Sequence, residues 1–291
     1  MSHKAGFVNI IGSPNVGKST LMNQLVGEKL SIITSKAQTT RHRIMGIVNG
    51  KDFQIVYSDT PGVVKSSYKL HDSMMNSVNT AIKDADILIF ITDVFENEMN
   101  HVETLKKITS TDIPVLLLIN KVDLKDEKVV EERINYWHEK VPKAKIAPIS
   151  ALLNFNCDTL FNKILELLPE SPPYFPKDDL TDRPMRFFVS EIIREKILKN
   201  YSKEVPYSCE VVVDEFKDDK DICRIKSTIY VVRESQKGIV IGHQGSKIKR
   251  VGTHARQDLE EMLGKQVHLE LYVKVQKNWR DKESDLKKFG Y

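Results

Sequence analysis

The 291 residues are about twice a typical domain, and a 41% hydrophobic and 29% charged composition excludes extensive disorder, so two compact units are expected. The net charge of +4 is too small to mark a nucleic-acid binder by itself, but residues from 184 onwards hold 22 Lys and Arg against 17 Asp and Glu, leaving 22 against 23 before them. No apolar run is long enough to cross a bilayer, and Cys157, Cys209 and Cys223 lack the spacing of a disulfide framework or metal site.

Reduced, mostly buried thiols and a cytoplasmic protein are therefore expected. A first strand at Phe7 leaves no room for a signal peptide. The basic second part suits RNA or an anionic membrane surface, so peripheral membrane contact stays open as an alternative.

Up to residue 168 short apolar runs alternate with amphipathic stretches, the pattern of strands and crossover helices in an α/β sheet. Strands are expected at Phe7–Ile11, near Arg43–Val48, and at Asp52–Ser58, Ile87–Thr92, Val115–Ile119 and Lys145–Pro148. The first strand runs into Gly12-Ser13-Pro14-Asn15-Val16-Gly17-Lys18-Ser19, with a helical run from Thr20 to Val26 behind it. Two glycines let backbone wrap around phosphate, the helix N-terminus adds positive potential, Lys18 brings a charge to the β and γ phosphates, and Ser19 brings a hydroxyl to Mg²⁺.

After the strand ending at Ser58 comes Asp59-Thr60-Pro61-Gly62. A carboxylate there can hold Mg²⁺ through water, and the Gly62 N–H can reach a γ phosphate. Val63 follows this glycine and cannot orient an attacking water, so slow intrinsic hydrolysis of a bound nucleotide is expected.

Asn120-Lys121-Val122-Asp123 follows Val115–Ile119. Asp123 can accept both the N1–H and the exocyclic amine of guanine, a donor pair that adenine lacks, and so favours GTP over ATP. Lys121 is expected to lay its stem along the base, and Asn120 to tie this loop to the phosphate loop. Ser150-Ala151-Leu152, after the last strand, can offer a backbone N–H to guanine O6.

Residues 169–184 carry five of the chain's eleven prolines and read as a semi-rigid linker. Beyond it the order becomes helix (Arg186–Asn200), strands (Tyr207–Lys217 and Cys223–Arg233), two helices and a last strand in which Val267, Leu269, Leu271, Val273 and Val275 alternate with polar residues. Between the two helices lies Gly242-His243-Gln244-Gly245, which lets a nucleic-acid backbone approach main-chain N–H groups. Ile241 and Ile248 flank it, and Lys247, Lys249 and Arg250 stand ready for phosphates.

The four elements of the first part, in this order and spacing, resemble those of translation-factor-type GTPases. Lys36-Ala37-Gln38-Thr39-Thr40-Arg41-His42-Arg43 is similar to the first switch of the Era family, and the second part looks like a KH module. The tail, Asn278-Trp279-Arg280-Asp281-Lys282 to Phe289-Gly290-Tyr291, is similar to the ending of that family, so the resemblance spans essentially the whole chain.

The resemblance implies a P-loop GTPase domain over residues 1–168, with a mostly parallel sheet and helices on both faces, and a smaller α+β type II KH domain over 185–291. It implies catalysis through Lys18, Thr40 and Gly62, and Mg²⁺ held by Ser19, Thr40 and Asp59, with Thr40 favoured over Thr39. Nucleotide contacts are expected from Gly12, Ser13, Pro14, Asn15, Val16, Gly17, Lys18, Ser19, Thr20, Asp59, Thr60, Pro61, Gly62, Asn120, Lys121, Asp123, Ser150, Ala151 and Leu152. RNA contacts are expected from Ile241, Gly242, His243, Gln244, Gly245, Lys247, Ile248, Lys249 and Arg250. Relatives usually carry a lysine where His243 and Gln244 stand, so weaker phosphate attraction at the loop is expected. The implied partner is the single-stranded 3′ end of 16S ribosomal RNA in the 30S subunit, the implied role is late subunit assembly, and a monomer is expected.

Overall fold

A computed structural model describes residues 2–96 and 102–291. The chain forms two compact units, one of Met1–Ser67 and His71–Asp182, the other of Tyr68–Leu70 and Arg183–Tyr291.

The first unit is built on β1 (Lys4–Ile11), α1 (Lys18–Val26), β2 (Ile44–Asn49), β3 (Phe53–Asp59), α2 (Lys69–Lys83), β4 (Ile87–Asp93), α3 (Val102–Ser110), β5 (Val115–Asn120), α4 (Glu127–Lys140), β6 (Lys145–Pro148) and α5 (Cys157–Leu167). The sheet order is β2-β3-β1-β4-β5-β6, parallel except for the β2–β3 pair. Every residue of β4 and β5 is buried, as continuous apolar runs covered on both faces require. Register then sets the site: Ile10 lies beside Asp59, Asp93 beside Asn120 and Ile119 beside Pro148, so the loops after β1, β3, β4, β5 and β6 emerge along one edge.

The proline-rich residues 169–182, read from the sequence as linker, are laid against this sheet. Ile47 N–H donates to Leu180 O (2.8 Å), and Lys4 and Gly46 make isolated bridges with Glu170 and Thr181. The fully buried Gln54 accepts from the N–H groups of Tyr174 and Phe175 and donates to Phe175 O (2.7, 3.0 and 2.8 Å). Prolines keep the segment extended, which suits it to cover an open sheet edge.

The second unit holds α6 (Met185–Asn200), α7 (Val205–Ser208), β7 (Glu210–Asp218), β8 (Ile222–Val231), α8 (Glu234–Ile241), α9 (Ser246–Leu263), β9 (Gln266–Val275) and α10 (Glu283–Lys288). Its sheet runs β7-β8-β9, with β7 antiparallel and β9 parallel to β8. The strand expected from Tyr207 begins at Glu210 because Pro206, in the first turn of α7, starts a short helix instead. The core joins Val189, Ile193 and Ile197 of α6 to Ile225 and Ile229 of β8 and to Val251, Ala255 and Leu259 of α9.

The tail closes on this unit. Trp279 is fully buried, donates Nε1–H to Ser208 O (3.0 Å) and packs edge-on against Phe289, while Tyr291 Oη donates to Glu210 Oε2 (2.6 Å). Among the described residues no helix is long and apolar enough to cross a membrane.

Candidate functional site

The loop after β1 curls back on itself because Gly17 adopts φ 104°, where a Cβ would stand 2.2 Å from Asn120 Nδ2. Lys18, at the start of α1, reaches across the loop and donates to Gly12 O (3.2 Å) and Ser13 O (2.7 Å). Burial pulls its pKa down to about 8, opposed by the carboxylates of Asp59 and Glu96. A desolvated ammonium at the mouth of such a loop is poised to gain from an incoming phosphate.

Ser19, Thr40 and Asp59 converge. Ser19 Oγ donates to Asp59 Oδ2 (2.7 Å), Thr40 Oγ1 lies 3.2 Å from the same oxygen, and the two hydroxyls are 2.9 Å apart. Asp59 is fully buried, burial pushes its pKa up, and its Oδ1 has no hydrogen-bond partner among the described residues. A buried carboxylate with one open oxygen, beside two hydroxyls, has the chemistry of a hard-cation site, and Mg²⁺ fits it. Thr39 lines the cavity beside them, but its hydroxyl lies 2.7 Å from that of Thr34 and donates to Lys36 O (2.6 Å).

Gly62 lines the same cavity, whereas Val63 is turned away from it: its side chain is 1% exposed in the core and its N–H donates to Gly12 O (3.1 Å). Thr60 Oγ1 donates to Ile10 O (2.7 Å), which ties the turn after β3 to the end of β1.

On the base side, Asn120 donates to Val16 O (2.7 Å) and accepts the Ala151 N–H (2.9 Å), joining three loops through one amide. Lys121 Nζ donates to Asn15 O (2.8 Å) and pairs with Asp93 Oδ2 (2.5 Å). Asp123, Ser150 and Leu152 line the same cavity as Lys18 and Ser19.

The cavity measures about 560 Å³, within the range of small-molecule sites. Pro14, Asn15, Gly17 and Thr20 also line it, while Val16, Asp59, Thr60, Pro61 and Ala151 lie buried behind its wall. Sequence reasoning missed Ile32, Ile33, Thr34 and Ser35, which line it from the loop ahead of β2, together with Leu124. It also missed Glu96, which accepts from Ser13 Oγ and from Thr92 Oγ1 (2.7 Å). A carboxylate just beyond a strand end, as with Asp59, was the available signal.

In the second unit α8 stops at Gly242, where φ is 72° and a Cβ would lie 2.7 Å from Lys247 Cγ. A single turn through His243, Gln244 and Gly245 leads into α9. His243, Gln244, Lys247, Lys249 and Arg250 are exposed, whereas Ile241 and Ile248 are half-buried. Beside the loop a groove of about 300 Å³ runs between α9 and β9, with Ile248, Leu269 and Leu271 as apolar lining and Lys249 and Arg256 as cations. Arg256 was not anticipated; its place seven residues after Lys249 puts both on one helix face.

A family model described as "50S ribosome-binding GTPase" matches residues 7–121, and one described as "KH domain" matches residues 204–280. The chain is 45% identical to the GTPase Era of Staphylococcus haemolyticus, covering 99% of this chain and 97% of that protein. It is 44% identical to the GTPase Era of Alkaliphilus metalliredigens, covering 100% of both. Two solved structures superpose with a TM-score of 0.94 at 41% identity, each covering 99% of both chains. One is Era in complex with MgGDPNP and nucleotides 1506–1542 of 16S ribosomal RNA, the other a variant of Aquifex aeolicus Era bound to GDP and AlF4⁻.

Proposed function

This chain belongs to the Era family of GTPases and hydrolyses GTP to GDP and phosphate, and we propose that it binds the single-stranded 3′ end of 16S ribosomal RNA and acts in assembly of the 30S subunit. The observation that carries this reading is the coexistence of one cavity lined by Lys18, Ser19, Thr40 and Asp123 together, and of an apolar, cation-rimmed groove on the helix that follows Gly242–Gly245.

Asp123 selects guanine through its two carboxylate oxygens, and Asn120 holds the loops that flank the base. Lys18 and the N–H groups of the phosphate loop and Gly62 stabilise charge on the transferred phosphoryl group. Ser19, Thr40 and Asp59 would hold Mg²⁺, which would supply charge neutralisation at the phosphates. The Val63 side chain lies in the core, so no side chain directly after Gly62 orients water, and intrinsic hydrolysis is slow.

In the second unit unstacked bases enter against Leu269 and Leu271, while Lys247, Lys249 and Arg250 meet phosphates. GTP strengthens RNA binding, and by linkage RNA strengthens GTP binding by the same factor. The site of action proposed is the cytoplasm.

The test is the affinity of the full chain for a labelled 3′-terminal 16S rRNA fragment at fixed salt, with GDP and then with a non-hydrolysable GTP analogue. Tighter binding with the analogue is expected. Absence of binding in both states, or salt-sensitive binding to anionic vesicles with no preference for the RNA, overturns the proposal.

A further inference from the structure

We infer that Asp93, at the end of β4, is a positioning residue for the guanine nucleotide, acting by holding Lys121 in its place along the base. Lys121 needs such a hold. Its backbone is left-handed (φ 63°, ψ 32°), a sparsely populated state for a lysine that persists only where its surroundings impose it. Its four-carbon stem also gives the side chain much rotamer freedom to lose.

The two carboxylate oxygens of Asp93 do different things. Oδ1 accepts the N–H groups of Phe95 (3.0 Å) and Glu96 (3.1 Å) and so shapes the turn after β4. Oδ2 faces the Lys121 ammonium at 2.5 Å, with Asp93 only 6% exposed. From the other side the ammonium donates to Asn15 O in the phosphate loop (2.8 Å), and the Phe95 ring centroid lies 5.9 Å away. The turn cannot drift from the base loop, because Asp93 is in register with Asn120 and Val94 N–H donates to Asn120 O (3.2 Å).

Lys121 is thus stretched between a rigid carboxylate and the phosphate loop by contacts that the protein itself supplies. A nucleotide that finds the stem already ordered is spared that ordering cost, whichever phosphates it carries. Asp93 therefore sets affinity for GDP and GTP alike, while Asp123 sets which base is taken.

Asp93→Asn separates the two roles: its Oδ1 still caps the turn, but its amide cannot pair with an ammonium. Labelled-GDP and GTP-analogue affinities are expected to weaken about tenfold, equally for both. The kcat at saturating GTP and the preference for GTP over ATP are expected to stay unchanged.

The deciding measurement is a double-mutant cycle with Lys121→Met, which keeps the stem and removes the ammonium. If Asp93 works through Lys121, Asp93→Asn produces no further loss in the Lys121→Met background. Unchanged affinity in Asp93→Asn alone, or the full additional loss in the double variant, overturns the inference. Should Asp93→Asn not fold, Asp93→Ser, whose hydroxyl can cap the same turn, carries the same cycle. The inference rests on the cavity being the guanine-nucleotide site. Failure of the unmodified chain to bind labelled GDP refutes that reading, whereas normal binding with an inert Asp93 variant refutes only this one.

Discussion

Thr39 and Thr40 are adjacent in sequence, yet only Thr40 places its hydroxyl on Asp59 and Ser19. Thr40→Val is therefore expected to weaken Mg²⁺-dependent binding of a GTP analogue and lower hydrolysis by at least about tenfold, with GDP affinity little changed. Thr39→Val removes the hydroxyl that meets Thr34 and Lys36 and is expected to move both readouts far less; equal effects in parallel titrations would refute the assignment. Asp123→Asn is expected to reduce the preference for GTP over ATP by about a hundredfold or more with the melting temperature unchanged, as measured by competition binding. Val63→Gln is not expected to speed hydrolysis, because position 63 points into the core. Burying an unpaired amide there costs about 1–3 kcal/mol, which thermal unfolding reads directly. The motifs made these residues legible, since phosphate, Mg²⁺ and guanine each demand a particular donor or acceptor just beyond a strand. Asp93 and Glu96 were not singled out because a carboxylate at or just beyond a strand end, though a signal, points to no role until its partner is known to lie beside it.

At the scale of elements, the segment 169–182 differs most from its sequence reading. Its prolines are there, but so is a continuous set of partners: Gln54 holds Tyr174 and Phe175, Lys177 donates to Gly50 O and Lys51 O, and Thr181 donates to Met45 O. Gln54→Ala is expected to cost about 1–3 kcal/mol, because it leaves three partly buried backbone groups without their partner. Hydrogen exchange at Tyr174 and Phe175 should accelerate selectively; uniform acceleration across the first unit would show that Gln54 serves the sheet as a whole. The loop from Ile32 to Ser35 was also illegible. Two isoleucines after a helix read equally well as core or as loop, and only the tertiary placement of β2 turns them to the cavity. By contrast β4, β5 and β9 could be read directly, because burial on two faces or one imposes a continuous or an alternating apolar pattern.

For the whole molecule, two units with separate cores imply that the RNA site can be damaged without touching the nucleotide site. Gly242→Ala forces a Cβ against Lys247 at a left-handed position, and is expected to weaken rRNA binding at least about tenfold while basal GTP hydrolysis stays intact. With Lys247, Lys249 and Arg250 as the phosphate contacts, the logarithm of RNA affinity is expected to fall with the logarithm of salt at a slope of about −2. Replacing Lys249 with glutamine should make that slope shallower by about 0.7, which a salt titration checks. By itself the sequence determined the two-part architecture, the nucleotide chemistry and the Gly-x-x-Gly loop, because these depend on local backbone freedom and on residue types at short spacing. Only the tertiary structure decided which threonine meets Asp59, where the proline-rich segment lies, and that Asp93 braces Lys121. Each of these joins residues far apart in the chain, or chooses between neighbours of identical chemistry, and strand register in the sheet is what brings them together.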